Sequence, residues 1–336
     1  MSLWFSVFVL TVLIVIPLFG AGIPGARPFF GIVVPYAALA VFLIGICLKV
    51  FKWAKSAVPF RIPTTSGQQK SLPWIKSARF ESPFTSLEVI GRMALEILLF
   101  RSLFRNTKAE IREGDKVVYG TNKYLWLAGI AFHYCFLVIL LRHFKYFVDP
   151  TPAFVIYLQN LDNFFQVGLP LVYLSDIAFL AALGYLFLRR STESRIRYIS
   201  LAGDYFPLLL ILGIGTTGVL MRYFTKVDLV AIKALGVGFL SFNPVAPETV
   251  SPLFFIHLFL VSTLFAYFPF SKLMHFAGVF LSPTRNLANN NRAKYHSNPW
   301  NYPVKVHTYE EYEEEFHKIM KGAGLPLDKE YTEERK

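Results

Sequence analysis

Long apolar runs, broken by short charged connections, organise this chain. Six of them, at 3–20, 29–50, 124–147, 166–188, 204–224 and 252–281, approach or exceed the roughly 18 residues that read as a membrane-crossing helix. The pattern predicts an all-α integral membrane protein with six transmembrane helices. The longest polar stretch has a periodicity of its own. TSLEVIGRMALEILLFRSLFR (85–105) opens with Thr85 and Glu88 in capping-box spacing. Glu88, Arg92 and Glu96 then recur every four residues, which gives one charged face on an otherwise apolar helix. Such a helix is expected along the membrane surface or against a partner. In AEIREGDKVVYG (109–120) a Glu-Gly-Asp turn between β-prone runs predicts a small hairpin. Near the end, Thr308 and Glu311 make a second capping box. Acids crowd the first turns of EEYEEEFHKIMKG, and lysines with Gly322 close it, as the helix dipole favours. Tyr309, Tyr312, Phe316 and Ile319 share a face there, which suits either a solvated helix or one docked on a cytoplasmic partner.

Composition agrees with a membrane chain: 54% of the 336 residues are hydrophobic. The net charge of +12 raises the question of nucleic acid, but the basic residues cluster beside the spans, where they set topology. Lys and Arg number 28 in 49–123, 189–200 and the tail from Lys272, against 6 in the remaining connections and span ends (Arg27, Arg142, Lys145, Arg222, Lys226, Lys233). That asymmetry places both termini and the long insert in the cytoplasm. The opening MSLW has no basic n-region, so the first run reads as a retained helix, although GAG at 20–22 keeps cleavage open. Cys47 and Cys135 have neither zinc-like nor ferredoxin-like spacing and read as small buried apolar residues. The expected units are two N-terminal helices (1–50), a cytoplasmic insert (51–122), a transmembrane bundle (123–281) and a cytoplasmic tail (282–336).

The chemistry lies in the histidines. Of seven, His296, His307 and His317 fall in the polar tail. The other four are confined to two spans: His133 and His143 in FHYCFLVILLRHF, and His257 and His275 in the last. An ionisable side chain at membrane depth is costly and marks a functional site by default. Ten residues separate the first two, about 15 Å along a helix axis, and eighteen the second two, about 27 Å and five full turns. If the spans run antiparallel, laid side by side, His133 meets His275 at an inner level and His143 meets His257 at an outer one. A directly bound metal wants more ligands than two imidazoles. Haem supplies four equatorial nitrogens and asks the protein for one or two axial ones. The absence of C-x-x-C-H makes attachment non-covalent, as in b-type haem. The expectation is two bis-histidine b haems, with His133 and His275 on the inner iron and His143 and His257 on the outer. Histidines that only pack in a non-redox anchor, or that line a transporter path, are the rival readings.

These spacings resemble the di-haem cytochrome b subunit of respiratory nitrate reductase, the gamma subunit family, over roughly 29–281. That family has five spans, so the implied architecture is a four-to-five-helix di-haem bundle plus an extra N-terminal helix. The extra helix, the amphipathic insert and FSKLMHFAGVFLSPTRNLANNNR (270–292) look, more narrowly, like the DsrM group, the membrane cytochromes b of DsrMKJOP complexes. The resemblance implies an electron-transfer subunit of a menaquinol-dependent oxidoreductase. It would exchange electrons with menaquinone or menaquinol and pass them to a cytoplasmic iron–sulfur subunit of the heterodisulfide reductase-like, DsrK type. DsrJ-, DsrO- and DsrP-like subunits would complete the complex, in dissimilatory sulfur metabolism. A nitrate reductase or membrane heterodisulfide reductase is the alternative setting.

In the nitrate reductase relative a lysine of the outer loop contributes to the quinone site. The corresponding DPTPAFVIYLQNLDNFFQ has none after Lys145, which leaves Gln159, Asn160, Asp162 and Asn163 as polar candidates against a solvated loop. Asp176, in the middle of the fourth span, could orient an imidazole, contact a haem propionate region, relay protons or only pack. Arg142, Lys145 and Arg222 at the outer edge could pair with haem propionates or serve as snorkelling anchors. Gly213, Gly215, Thr216 and Gly218 would admit either a flat macrocycle or a close helix.

Overall fold

The structure is a computed structural model and describes residues 1–56, 67–114, 116–164, 172–294, 306–329 and 331. Helix α1 (Ser2–Gly20) is followed by a π-helical turn, Phe29–Val33, that runs into α2 (Val34–Ala54). Both expose large apolar side chains such as Trp4, Phe8, Phe19, Leu43 and Leu48, which suits lipid contact. The insert then gives α3 (Ser86–Leu99) and α4 (Arg101–Phe104). Strands β1 (Thr107–Arg112) and β2 (Lys116–Thr121) pair antiparallel, with Thr107 opposite Thr121 and Arg112 opposite Lys116. Gly114 sits in the turn at φ +80°, a conformation glycine adopts without strain.

Helix α5 (Lys123–His143) ends in a 3₁₀ turn, Phe144–Tyr146. Then come α6 (Ala153–Phe164), α7 (Leu174–Thr192), α8 (Ser194–Ile199) and α9 (Ala202–Leu220), the last continuing as a π turn, Met221–Thr225. Asp228 caps α10 (Leu229–Leu240) by accepting from the N–H groups of Val230 and Ala231. Helix α11 (Pro252–Tyr267) leads through two 3₁₀ turns, Phe268–Phe270 and Lys272–Met274, into α12 (His275–Leu281) and α13 (Pro283–Asn286). The tail helix α14 (Tyr309–Gly322) has both bonds of its capping box.

Among the described residues five helical segments are long and apolar enough to cross a membrane: Ser2–Gly20, Phe29–Ala54, Lys123–Tyr146, Ala202–Thr225 and Pro252–Phe270. The chain is therefore an all-α, multi-pass membrane protein, with one span fewer than the six expected. The difference is the fourth. Helix α7 is as long as α1, but Asp176, Arg189 and Arg190 dilute its apolar character; residues 165–171, where the expected span began, lie outside the described residues. Even so, α7 packs centrally, between α5 and α9. Helix α9 packs on α11, α11 on α2, and α1 covers α9 and α11. Phe179, Leu183 and Ile211 form one core with Phe132, Phe136 and Ile139 against it; Leu210, Ile256 and Leu260 form another with Leu10 and Leu13.

Further expectations need correction. The 252–281 run is not one helix. Pro269 has no N–H to donate, Ser271 is extended at φ −114° and ψ 176°, and the helix restarts at His275. Helices α5 and α11 are not among the closely packed helix pairs. The 85–105 helix breaks at Phe100, which adopts the left-handed conformation at φ 48° and ψ 47°. Its charged face is not solvated: Arg92 is buried and donates to the carbonyl of Thr284 at 3.1 Å. Of the two cysteines only Cys135 is partly buried; Cys47 is exposed. On α14 the shared apolar face leaves Tyr309, Tyr312 and Ile319 exposed, while Glu313 is buried and accepts from the N–H of Lys329 at 2.9 Å.

Candidate haem-binding sites

Helix α5 carries His133 in its middle and His143 at its end. Both are held by their own helix. The Nδ1 of His133 lies 2.7 Å from the carbonyl of Gly129, and that of His143 lies 2.6 Å from the carbonyl of Ile139. A carbonyl can only accept, so in each ring Nδ1 carries the proton and Nε2 keeps its lone pair. His275 follows the same rule with the carbonyl of Lys272 at 2.9 Å. His257 uses a neighbour: its Nδ1 is 2.9 Å from Thr217 Oγ1 on α9. The Thr217 hydroxyl donates to the carbonyl of Gly213 at 2.8 Å, so it accepts from His257. All four imidazoles thus have a fixed tautomer with Nε2 available to a metal, the outer hydrogen bond that metal-ligating histidines usually make.

Two of the rings also lie together. Those of His133 and His275 have centroids 6.0 Å apart and planes at 86°. Metal–imidazole bonds of about 2.0–2.1 Å place two ring centroids on opposite sides of one metal about 6.3 Å apart. One metal could therefore reach both rings, and both are exposed. Phe100 and Phe132 stand edge-on to His133 at 4.9 and 4.8 Å. A Cβ at Gly218 would lie 3.4 Å from Cε1 of His257, so α9 presents its bare backbone to that ring. Gly213 faces Leu10 and Leu260, and Gly215 faces Phe179 and Leu180, which is helix packing. Among the described residues no three His, Cys, Asp or Glu side chains gather to hold a bare metal ion. Imidazole pairs are a donor set for a metal that brings its other ligands with it, and the residues present fit haem.

Beside His143 the polar candidates converge on Arg142. This side chain is buried, with 4% of the residue exposed. Its Nη1 donates to Asp162 of α6 and, at 3.2 Å, to Ser175 Oγ; its Nη2 donates to Asp176 of α7 at 2.9 Å. Ser175 donates its hydroxyl to Asp162 at 2.6 Å. Tyr223, on the π turn after α9, donates to Asp176 at 2.6 Å and accepts the N–H of Tyr173 at 3.1 Å. The Tyr173 ring has Arg142 at 4.5 Å and Arg222 at 4.0 Å, cation–π contacts that keep both guanidiniums in place. Asp176 and Asp162 are thus partners of one arginine, and Arg142 Nε is buried without a hydrogen-bond partner. The loop expected to be solvated is helix α6. Its Gln159 accepts from Lys145 Nζ at 3.4 Å, and Asn160 is exposed. Lys145 lies over the ring of Tyr146, which stands edge-on to His143 at 5.8 Å.

Comparison with known proteins fixes the family. The model of the nitrate reductase gamma subunit matches residues 93–291, more than half of the chain. The chain belongs to that family. The match takes in His133, His143, His257 and His275 and starts within α3, later than the expected residue 29, so α1 and α2 lie outside it. An Hdr-like menaquinol oxidoreductase cytochrome b-like subunit of Archaeoglobus fulgidus is 50% identical over 278 residues, covering 81% of this chain and 83% of that protein. The like-named subunit of Archaeoglobus profundus is 41% identical over 273 residues, covering 79% and 81%. Within this family member, sequence reasoning missed Thr217, Ser175, Tyr173 and Tyr223. Thr217 had a signal: a buried histidine needs an Nδ1 partner, and Thr216 and Thr217 are the polar pair in an otherwise apolar span. Tyr223 had none, because its position depends on the π turn.

Proposed function

We propose that this chain is the di-haem b subunit of a quinone-linked oxidoreductase complex. His133 and His275 would ligate one iron and His143 and His257 the other, each through Nε2. A haem held by two imidazoles would supply reversible one-electron transfer. The observation that carries the reading is the 6.0 Å spacing of the His133 and His275 rings, with Nδ1 of both engaged by carbonyls. The protein's part is to hold these rings by hydrogen bonds and to bury a polar cluster beside His143. The unpartnered Nε–H of Arg142 and the guanidinium of Arg222 are the donors we assign to propionates.

The names of the two relatives support menaquinol as the electron donor. Oxidation of menaquinol releases two electrons and two protons, and we place it at the His143 level. There Lys145 and Gln159 offer hydrogen bonds to the quinol oxygens, and Asp162, Asp176, Asn160 and Asn163 are the remaining polar groups. The electrons would pass inward to a cytoplasmic iron–sulfur subunit of the DsrK type, and the chain itself would not act on the sulfur substrate. The charge asymmetry supports cytoplasmic termini. The relatives' printed names favour this Hdr-like setting over a nitrate reductase. Membranes containing the chain should show a reduced-minus-oxidised b-type α band, two haems per chain and reduction by a soluble menaquinol analogue. A chain that purifies folded and colourless from haem-replete cells contradicts the reading.

A further inference from the structure

The break before His275 raises a physical question. A continuous helix would have set the direction of that imidazole, but the chain is extended at Ser271 and restarts as a helix of only seven residues, α12. Some other element must hold His275 against His133. Helix α3 touches the surroundings of both. Its last-turn carbonyls lack intrahelical partners, and α5 supplies them: Trp126 Nε1 donates to the carbonyl of Leu99 at 2.8 Å and Tyr134 OH to that of Leu98 at 2.9 Å. Trp126 and Tyr134 bracket His133. Phe100, the next residue, stands against the His133 ring, and Leu103 of α4 packs on Gly129, whose carbonyl holds His133 Nδ1.

The middle of α3 faces the other way. Buried Arg92 donates to the carbonyl of Thr284, and Glu96 pairs with Arg285 at 3.4 Å; both partners are on α13, directly after α12. The segment just before α3 extends the clamp. The N–H of Asn289 donates to the carbonyl of Pro83 at 2.6 Å, Asn290 Nδ2 to that of Phe84 at 3.1 Å, and Gln69 Nε2 to the carbonyl of Asn289 at 2.7 Å.

We propose that α3 is a brace that holds the two imidazoles of the His133–His275 pair in register, with Arg92 as the positioning residue for His275. The inference rests on the ligand pairing under Proposed function. A competing arrangement is that upstream contacts suffice, namely Lys272 Nζ with Asp204 at 2.6 Å and Phe276 edge-on to Phe268 at 5.5 Å.

The test compares the wild-type chain in its membrane complex with Arg92→Met, which keeps the stem and loses the donors, and Arg92→Lys, which restores one donor. Asn290→Ala is a milder variant of the same clamp. Two quantities are read: amide exchange across 275–291, and the midpoint potentials and low-spin resonance signals of the two b components. In Arg92→Met, exchange should accelerate about tenfold, the equivalent of one lost hydrogen bond. The inner component should shift or be lost while the outer keeps its values, and Arg92→Lys should recover both readings. Unchanged exchange in Arg92→Met overturns the brace. Faster exchange with both b components unchanged overturns the positioning role and favours the upstream contacts. A wild-type complex with no b component overturns the pairing itself, a failure visible before any variant is made.

Discussion

At the scale of single residues, the account depends on where each proton sits. Thr217 accepts from His257 because its own proton is committed to Gly213. Thr217→Val keeps the shape and removes the acceptor, leaving the imidazole less basic. Loss of such an outer hydrogen bond typically weakens a metal site ten- to a hundredfold, so we expect outer-haem occupancy to fall by about that factor on dilution while the inner haem is retained. Equilibrium haem titration of the variant checks this. Asp176 serves a different purpose. It shares Arg142 with Asp162 and takes the proton of Tyr223. Asp176→Leu leaves Arg142 with one carboxylate and Tyr223 with no acceptor at that position. Removing one member of a buried ion pair costs about 3–5 kcal/mol. Thermal unfolding in detergent should register a loss of about that size, whereas Asp176→Asn, which can still accept, should lose less.

At the scale of elements, the insert is held by ion pairs that solution pH can probe. Burial pushes the Glu81 carboxyl up, but the guanidiniums of Arg101 and Arg105 outweigh it and hold it below the usual carboxylate range. The lowered value in the folded state means that this stabilisation is fully present above the unfolded pKa and is lost as the pH falls through the folded one. Amide protection of Arg101–Phe104, corrected for intrinsic exchange, should therefore decline as the medium is taken below the ordinary carboxylate range. In Glu81→Gln it should start lower and stay flat.

The elements also show what the sequence could and could not reveal. Capping boxes at Thr85 and Thr308 are local chemistry, and both helices begin where those residues place them. Hairpin β1–β2 is equally local. The breaks at Phe100 and Ser271 are not, because each is stabilised by distant partners. Arg101 turns toward Glu81, and Lys272 reaches Asp204. Helix α6 looked like a loop because its apolar run, AFVIYL, is too short to cross a membrane and is followed by the polar QNLDN. Its anchor is Asp162, buried against Arg142, twenty residues upstream.

At the scale of the molecule, the spacing argument assumed one unbroken last helix, which the fold does not have. His133 and His275 do approach, but across α5 and a broken chain, with α7 and α9 completing the packing between α5 and α11. Topology at this scale rests on charge alone. A reporter fused after the tail helix α14 should be active only if it needs the cytoplasm; activity only on the outer side would reverse the proposed direction of electron flow.

The central claim is that imidazoles ligate in pairs, His133 with His275 and His143 with His257. A redox titration of the purified complex, repeated with each histidine changed singly to alanine, tests it most directly. The account predicts two b components in the wild type, loss of the same one in His133→Ala and His275→Ala, and loss of the other in His143→Ala and His257→Ala. Loss of different components within a predicted pair, or retention of both in any of the four, would contradict it.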